Sequence, residues 1–169
     1  QIIEFFTKEG GLVFDYFMGV GGTLLGASLC NRKAIGIDLS AEYISAYRKA
    51  TKALNLVEQK TLQADSVNFL KKTSEFSKLL NEEEIDLILI DPPYGDMMAR
   101  EKTGEAAKNK KSSEATPFTN MEVDLGNMEW KKFREVFKDT IQNASKKLKD
   151  KGHIVIFIKD LQPKNGEPN

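Results

Sequence analysis

The 169 residues carry 25 Lys plus Arg against 25 Asp plus Glu, with 40% hydrophobic and 30% charged residues, a mixture suited to a single globular domain. Zero net charge argues against a free-standing duplex binder with a generally basic surface, so any nucleic-acid substrate must meet a local basic face or a partner. The single cysteine, Cys30, excludes an intrachain disulfide and a cysteine-built zinc cluster. No apolar run approaches the ~18–20 residues of a membrane span, and with no signal peptide evident the expected compartment is the cytoplasm.

Apolar runs alternate with amphipathic stretches. Leu12-Val13-Phe14 reads as a short strand entered through Gly10-Gly11, followed by a glycine-rich turn at residues 19–22 and a small-residue helix to about Cys30. Ala34-Ile35-Gly36-Ile37 reads as a second strand ending on Asp38. Ser40 is placed to cap the next helix, where Tyr43, Ile44, Tyr47, Ala50 and Leu54 share one face. A weaker third strand, Thr61 to Ala64, ends on Asp65, and a helical stretch opening at Val67 runs towards Leu80. Ile85 to Ile90 is the strongest strand, apolar at five of six positions, as expected of a central strand covered on both faces. Trp130, Phe133, Phe137, Ile141, Ala144 and Leu148 mark a long amphipathic helix that Gly152 is expected to stop before a fifth strand from Ile154 to Ile158.

Five strands alternating with helices predict an α/β fold with a mostly parallel sheet and helices on both faces. In such sheets ligands bind beyond the carboxyl ends of the strands. Asp15, Asp38, Asp65 and Asp91 all fall there. The stretch 95–128 is long, aperiodic and polar, and is expected to be a mobile substrate loop. The chain begins on Gln1 and ends on Asn-Gly-Glu-Pro-Asn, which leads to the expectation of a portion of something longer.

Two constellations carry chemistry. The turn Phe17-Met18-Gly19-Val20-Gly21-Gly22 lets the backbone approach a ligand closely at a helix N-terminus, and Asp38, about twenty residues on, is placed for the hydroxyls of an adenosine ribose. A dinucleotide enzyme would use the same pair, but position 24 is leucine, which breaks the full G-x-G-x-x-G spacing. Asp65 adds a point suited to an adenine amino group. Asp91-Pro92-Pro93-Tyr94 directly follows the strongest strand, and its prolines force a stiff, extended exit from the sheet. The Asp91 carboxylate and the Pro92 carbonyl can each accept a hydrogen from an exocyclic amino group, favouring a pyramidal nitrogen with a free lone pair. Tyr94 offers a face for an extruded base.

Together these residues resemble the amino-methylating DNA methyltransferases, which act on adenine N6 or cytosine N4. Phe6-Thr7-Lys8-Glu9-Gly10 resembles the family's first motif, Val13 to Gly22 its glycine motif, Ala34 to Asp38 its ribose-binding strand, and Asp91 to Tyr94 its catalytic motif in the form commoner for adenine. The resemblance implies a Rossmann-like fold, S-adenosyl-L-methionine as cofactor, and no metal. It places Thr7, Asp15, Phe17, Gly19, Gly21, Gly22, Asp38, Leu39, Asp65 and Ser66 at the cofactor, with Asp91, Pro92, Pro93 and Tyr94 catalytic. It further implies a DNA substrate with a flipped base, and a separate target-recognition domain or restriction subunit. Tyr16 stands where the family usually has proline, and Val20 and Gly22 replace its usual serine and threonine. The last strands of the family's sheet are not evident.

Two rival readings stand beside it. One is an RNA base methyltransferase, for example on guanine N2, where similar acid-Pro-Pro-aromatic motifs occur. The other is a catalytically silent subunit that binds cofactor or partner alone. His153, Cys30 and Trp130 are read as structural, and the lysine pairs 71–72, 131–132 and 146–147 as solvated helix faces. Lys108, Lys110 and Lys111, in the long loop, are the candidates for phosphate contact.

Overall fold

A computed structural model describes residues 1–95, 119 and 121–158. The Lys108, Lys110 and Lys111 expectation lies outside the described residues, as does most of the long loop. Five strands, β1 (Leu12–Asp15), β2 (Lys33–Asp38), β3 (Lys60–Gln63), β4 (Ile85–Ile90) and β5 (Leu148–Ile156), form one parallel sheet in the order β3-β2-β1-β4-β5. The helices are α1 (Ile2–Phe6), α2 (Gly22–Leu29), α3 (Ala41–Ala53), α4 (Ser66–Phe69), α5 (Thr73–Leu79) and α6 (Trp130–Ser145). The strand order reverses at β1 and β4, which places the topological switch point directly over Asp15 and Asp91.

Period-two alternation sorts the central strands between two cores. Leu12, Phe14, Ile88 and Ile90 pack with Phe76, Leu80 and Ala144 on one face, while Val13, Leu87 and Leu89 pack with Leu24, Ala27 and Tyr47 on the other. Asp86 interrupts the apolar run of β4. Its carboxylate accepts the Leu12 amide at 2.8 Å and pairs with Lys149. That satisfies the first donor of β1 and compensates the charge.

Several boundaries differ from the sequence reading. The helix that Gly152 was expected to stop ends at Ser145, and β5 begins at Leu148. The register jumps from Ile85↔Leu148 to Leu87↔His153, so the extra residues around Lys151 (φ 61°) bulge outward. The single helix expected from Val67 to Leu80 is two short ones, α4 and α5. Trp130, expected in the core, is 43% exposed, because it is the first residue of α6 and projects past the packed turns. Part of the expected mobile loop is ordered: Asp124 caps a 3-10 turn over Leu125–Asn127, accepting the Gly126 amide at 2.8 Å.

Among the described residues no helix is long and apolar enough to cross a membrane. No group of three or more His, Cys, Asp or Glu side chains among them is disposed to hold a metal ion.

Candidate active site

A cavity of about 680 Å³ opens at the carboxyl ends of the strands, within the roughly 300–1,000 Å³ typical of small-ligand sites. Asp15, Phe17, Gly19, Gly22, Asp38, Leu39, Asp65 and Ser66 line it, as do Asp91, Pro92, Pro93 and Tyr94. Residues 76 positions apart in the chain therefore face one space.

The glycine turn is built by two different demands. Gly21 (φ 85°) packs so tightly that a Cβ would overlap the Tyr47 ring. Its role is steric, and it does not reach the cavity lining. Gly19 (φ 51°) faces open space and sends its amide to Asp38 Oδ2 at 2.8 Å. The Ser40 amide donates to Asp38 Oδ1, also at 2.8 Å. These two bonds clamp the carboxylate at the end of β2 and leave its remaining lone pairs to the cavity. Burial raises the Asp38 pKa, the two amides oppose that rise, and Asp124 across the cavity adds to it.

Asp65 is the N-cap of α4. It accepts the Val67 amide at 2.9 Å and the Asn68 side chain at 2.6 Å. Ser66 donates its hydroxyl to the Tyr16 carbonyl at 2.5 Å, tying the end of β3 to the start of the glycine turn. Tyr16, at the family's proline position, is buried against Phe14 and Phe17.

Asp15 forms the floor. It accepts the Phe17 amide at 3.0 Å. Burial pushes its pKa up to about 7; the Thr23 side chain and the Phe17 amide oppose the rise, and Asp38 and Asp91 reinforce it. A carboxyl this deep is held near neutrality unless a cation joins it.

Thr7 is not in the cavity. It ends α1 and lies at the entry to β1, at the opposite ends of the strands. There its Oγ1 and carbonyl accept Arg32 Nε at 3.2 Å and Nη2 at 3.0 Å.

At the Asp91-Pro92-Pro93-Tyr94 segment, Pro92 is buried while the Asp91 side chain is exposed to the cavity. The Tyr94 hydroxyl lies 2.8 Å from Asp91 Oδ1 and 2.7 Å from the Phe157 carbonyl, two acceptors that share its single proton. The Phe157 amide in turn donates to the Ile90 carbonyl at 2.9 Å. The excursion Asp91-Pro92-Pro93-Tyr94 is thus clasped at both ends by the backbone of one residue just past β5. Gly95 follows at φ 62°, closely packed on the Met128 carbonyl and Phe133.

Sequence reasoning missed one wall. Thr119, Val123, Asp124 and Leu125 face the cavity, and the Thr119 hydroxyl donates to Asp124 Oδ2 at 2.7 Å. No periodicity marks this segment, since its order comes from side-chain caps. Phe157 was also missed, although it lies within the expected fifth strand, whose end belongs to the same rim.

A family model described as DNA methylase matches residues 1–49. The tRNA (guanine(10)-N2)-dimethyltransferase of Methanocaldococcus jannaschii is 38% identical over 103 residues, covering 60% of this chain and 28% of that protein. Among solved structures, TrmN from Thermus thermophilus superposes with a TM-score of 0.60 at 18% identity, covering 92% of this chain and 35% of that one. A SAM-dependent methyltransferase from Agrobacterium tumefaciens gives 0.56 at 15%, covering 89% and 39%. The chain has the Rossmann-like fold of the S-adenosylmethionine-dependent methyltransferases. Three more curated relatives carry the same guanine-10-N2 designation on tRNA. The chain spans between 23% and 53% of the length of these curated relatives.

These relatives correct the sequence reading. Their names place them on tRNA, which overturns the expectation of a site-specific DNA methyltransferase with a flipped DNA base and a restriction subunit. The Asp91-Pro92-Pro93-Tyr94 motif alone does not separate the two, because an amino nitrogen on adenine and one on guanine ask for the same acceptors.

Proposed function

We propose that the chain binds S-adenosylmethionine and directs its methyl group to the exocyclic N2 amino group of a guanine in RNA, with tRNA the favoured substrate. The carrying observation is one cavity that joins a clamped carboxylate at the end of β2 to Asp91 and Pro92 at the end of β4. The cofactor fits this lining. Asp38 is oriented for the ribose hydroxyls, open space lies over Gly19, and Asp15 gives the α-ammonium of the cofactor's zwitterionic amino-acid end a buried carboxyl partner. No lysine or arginine lines the cavity among the described residues, which suits a positively charged ligand. When bound, the cofactor supplies an activated methyl group.

The protein's work is positioning. Asp91 and the Pro92 carbonyl accept the two amino hydrogens and free the nitrogen lone pair for attack. Tyr94 holds one Asp91 oxygen, leaving the other for the base. The prolines keep the acceptors fixed, so little reorganisation is needed as charge develops. Asp91 takes up the released proton or passes it to water at the cavity mouth.

The test uses tritiated S-adenosylmethionine and an unmodified tRNA transcript. Incorporation is expected at guanine and lost when the target guanine is replaced by inosine, which lacks N2. Incorporation into adenine, or binding of the cofactor without transfer, would overturn the reading.

A further inference from the structure

The neutral composition requires that phosphates meet a local basic face, and the structure places one beside the tetrapeptide. Trp130 is the only tryptophan in the chain. One face of its indole stacks on Phe133, at 5.4 Å between centroids and 19° between planes. Phe133 stacks on Phe137 at 5.4 Å and 9°, and Phe137 meets the cavity residue Phe17 at 6.4 Å. Phe133 also packs against Gly95, the residue after Tyr94. An aromatic ladder therefore runs from the cavity wall to an indole that is 43% exposed at the surface.

Helical periodicity places Arg134 and Lys138, four and eight residues on, and Lys131 in the next row, along the solvent side of Trp130. All three are exposed, and no ion pair among the described residues engages them. Glu135 is one helical turn from both Lys131 and Lys138 and Asp139 lies further round, so the face nearest Trp130 keeps a positive balance mainly through Arg134 and Lys138. A flat aromatic flanked by cations is the arrangement that holds a splayed-out base and its phosphates in single-stranded nucleic acid.

We propose that Trp130 is a stacking platform for an unpaired RNA base next to the target nucleotide, with Arg134, Lys138 and Lys131 contacting the adjoining phosphates. This rests on the RNA reading of the site but is read by binding rather than by transfer. The bound strand enters along the first turns of α6 and reaches the cavity past Gly95.

Because Trp130 is the sole indole, its fluorescence reports on the platform. Titration with the unmodified tRNA transcript is expected to quench it, while a blunt RNA duplex and S-adenosylmethionine alone leave it unchanged. Trp130→Ala is expected to weaken transcript affinity about tenfold, as loss of one stacked base does, with cofactor affinity within twofold. Trp130→Phe, which keeps a π-face, should restore most of the affinity, while Trp130→Leu, which keeps only apolar bulk, should not, a split that a merely structural defect would not predict. Replacing Lys131, Arg134 and Lys138 by Gln should lower the slope of log K against log salt by up to about 2. Circular dichroism checks that each variant folds. Unchanged affinity in Trp130→Ala, or equal quenching by the duplex, overturns the platform. Quenching and a Trp130→Ala defect without methyl transfer would leave the platform standing and remove the proposed reaction.

Discussion

In the half of the cavity beneath β1, β2 and β3, every aspartate is held by at least one backbone amide: Asp15 by Phe17, Asp38 by Gly19 and Ser40, Asp65 by Val67. In the half beyond β4 and β5, Asp91 is held by a side chain, the Tyr94 phenol, which is itself anchored 63 residues away on Phe157. Amide anchors are set by the turn that follows each strand, so this half is fixed once the sheet forms. A phenol clasp depends on where β5 ends and on what the long loop does. On the proposed function, the difference separates a preset half that would take the cofactor from a target half whose geometry is assembled from distant parts.

The sharpest way to break this division is to remove the target-side acceptor. Asp91→Ala is expected to lower the transfer rate about 100- to 1,000-fold, the range seen when one preorganised transition-state hydrogen bond is deleted. Cofactor affinity should stay within a few fold. Isothermal calorimetry with S-adenosylmethionine and single-turnover transfer give the two numbers separately. Near-normal transfer would remove Asp91 from the amino-group site, and a large loss of cofactor affinity would erase the distinction between the halves.

The converse is expected at Asp38. Asp38→Ala should weaken cofactor binding about 10- to 100-fold, as expected for a lost hydrogen bond to a charged group, with the rate at saturating cofactor much less affected. Part of that loss will come from freeing the Gly19 amide, so Asp38→Asn, which keeps an acceptor for one amide, should lose less. Equal cofactor affinity in Asp38→Ala would take this carboxylate out of the ribose site.

The same division explains what could be read from the sequence. β4 is recovered to the residue, because six nearly apolar positions allow nothing but a buried strand. The placement of Asp38 and Asp65 on the rim was legible because each follows a strand and precedes a helix, with at least one anchoring amide two residues on. Gly21 reads in sequence as a ligand glycine but packs under the Tyr47 ring outside the cavity lining, since a glycine needed for φ 85° there looks the same in sequence as one needed for ligand approach. The Thr119–Leu125 wall was illegible because its order rests on Asp124 bonding both Thr119 and Gly126, a local network without period. The choice between DNA and RNA was illegible for another reason. On the proposed reading the acceptors around Asp91 serve an amino group on either polymer, and the residues proposed to meet RNA, Trp130 and its neighbouring cations, lie on a helix whose pattern reads as core.

The smallest expected effect concerns Asp15, and it links the preset half to pH. Its pKa is raised from 3.8 to about 7 by burial. A raised folded-state pKa means that the neutral form is the one the fold prefers. The contribution to stability is therefore fully present below about pH 4 and is lost as pH rises through 7. Without cofactor, stability measured by urea unfolding should carry a downward component across that window, and Asp15→Asn should remove it. On the proposed reading cofactor binding should act against the trend, because the α-ammonium of S-adenosylmethionine beside Asp15 favours the carboxylate. Binding at pH 6 should then release up to one proton, read from the dependence of the calorimetric enthalpy on buffer ionisation, and Asp15→Asn should abolish that release. Proton uptake instead, or no exchange in the wild type, would mean that the cationic group sits elsewhere in the cavity, with Asp15 serving the fold alone.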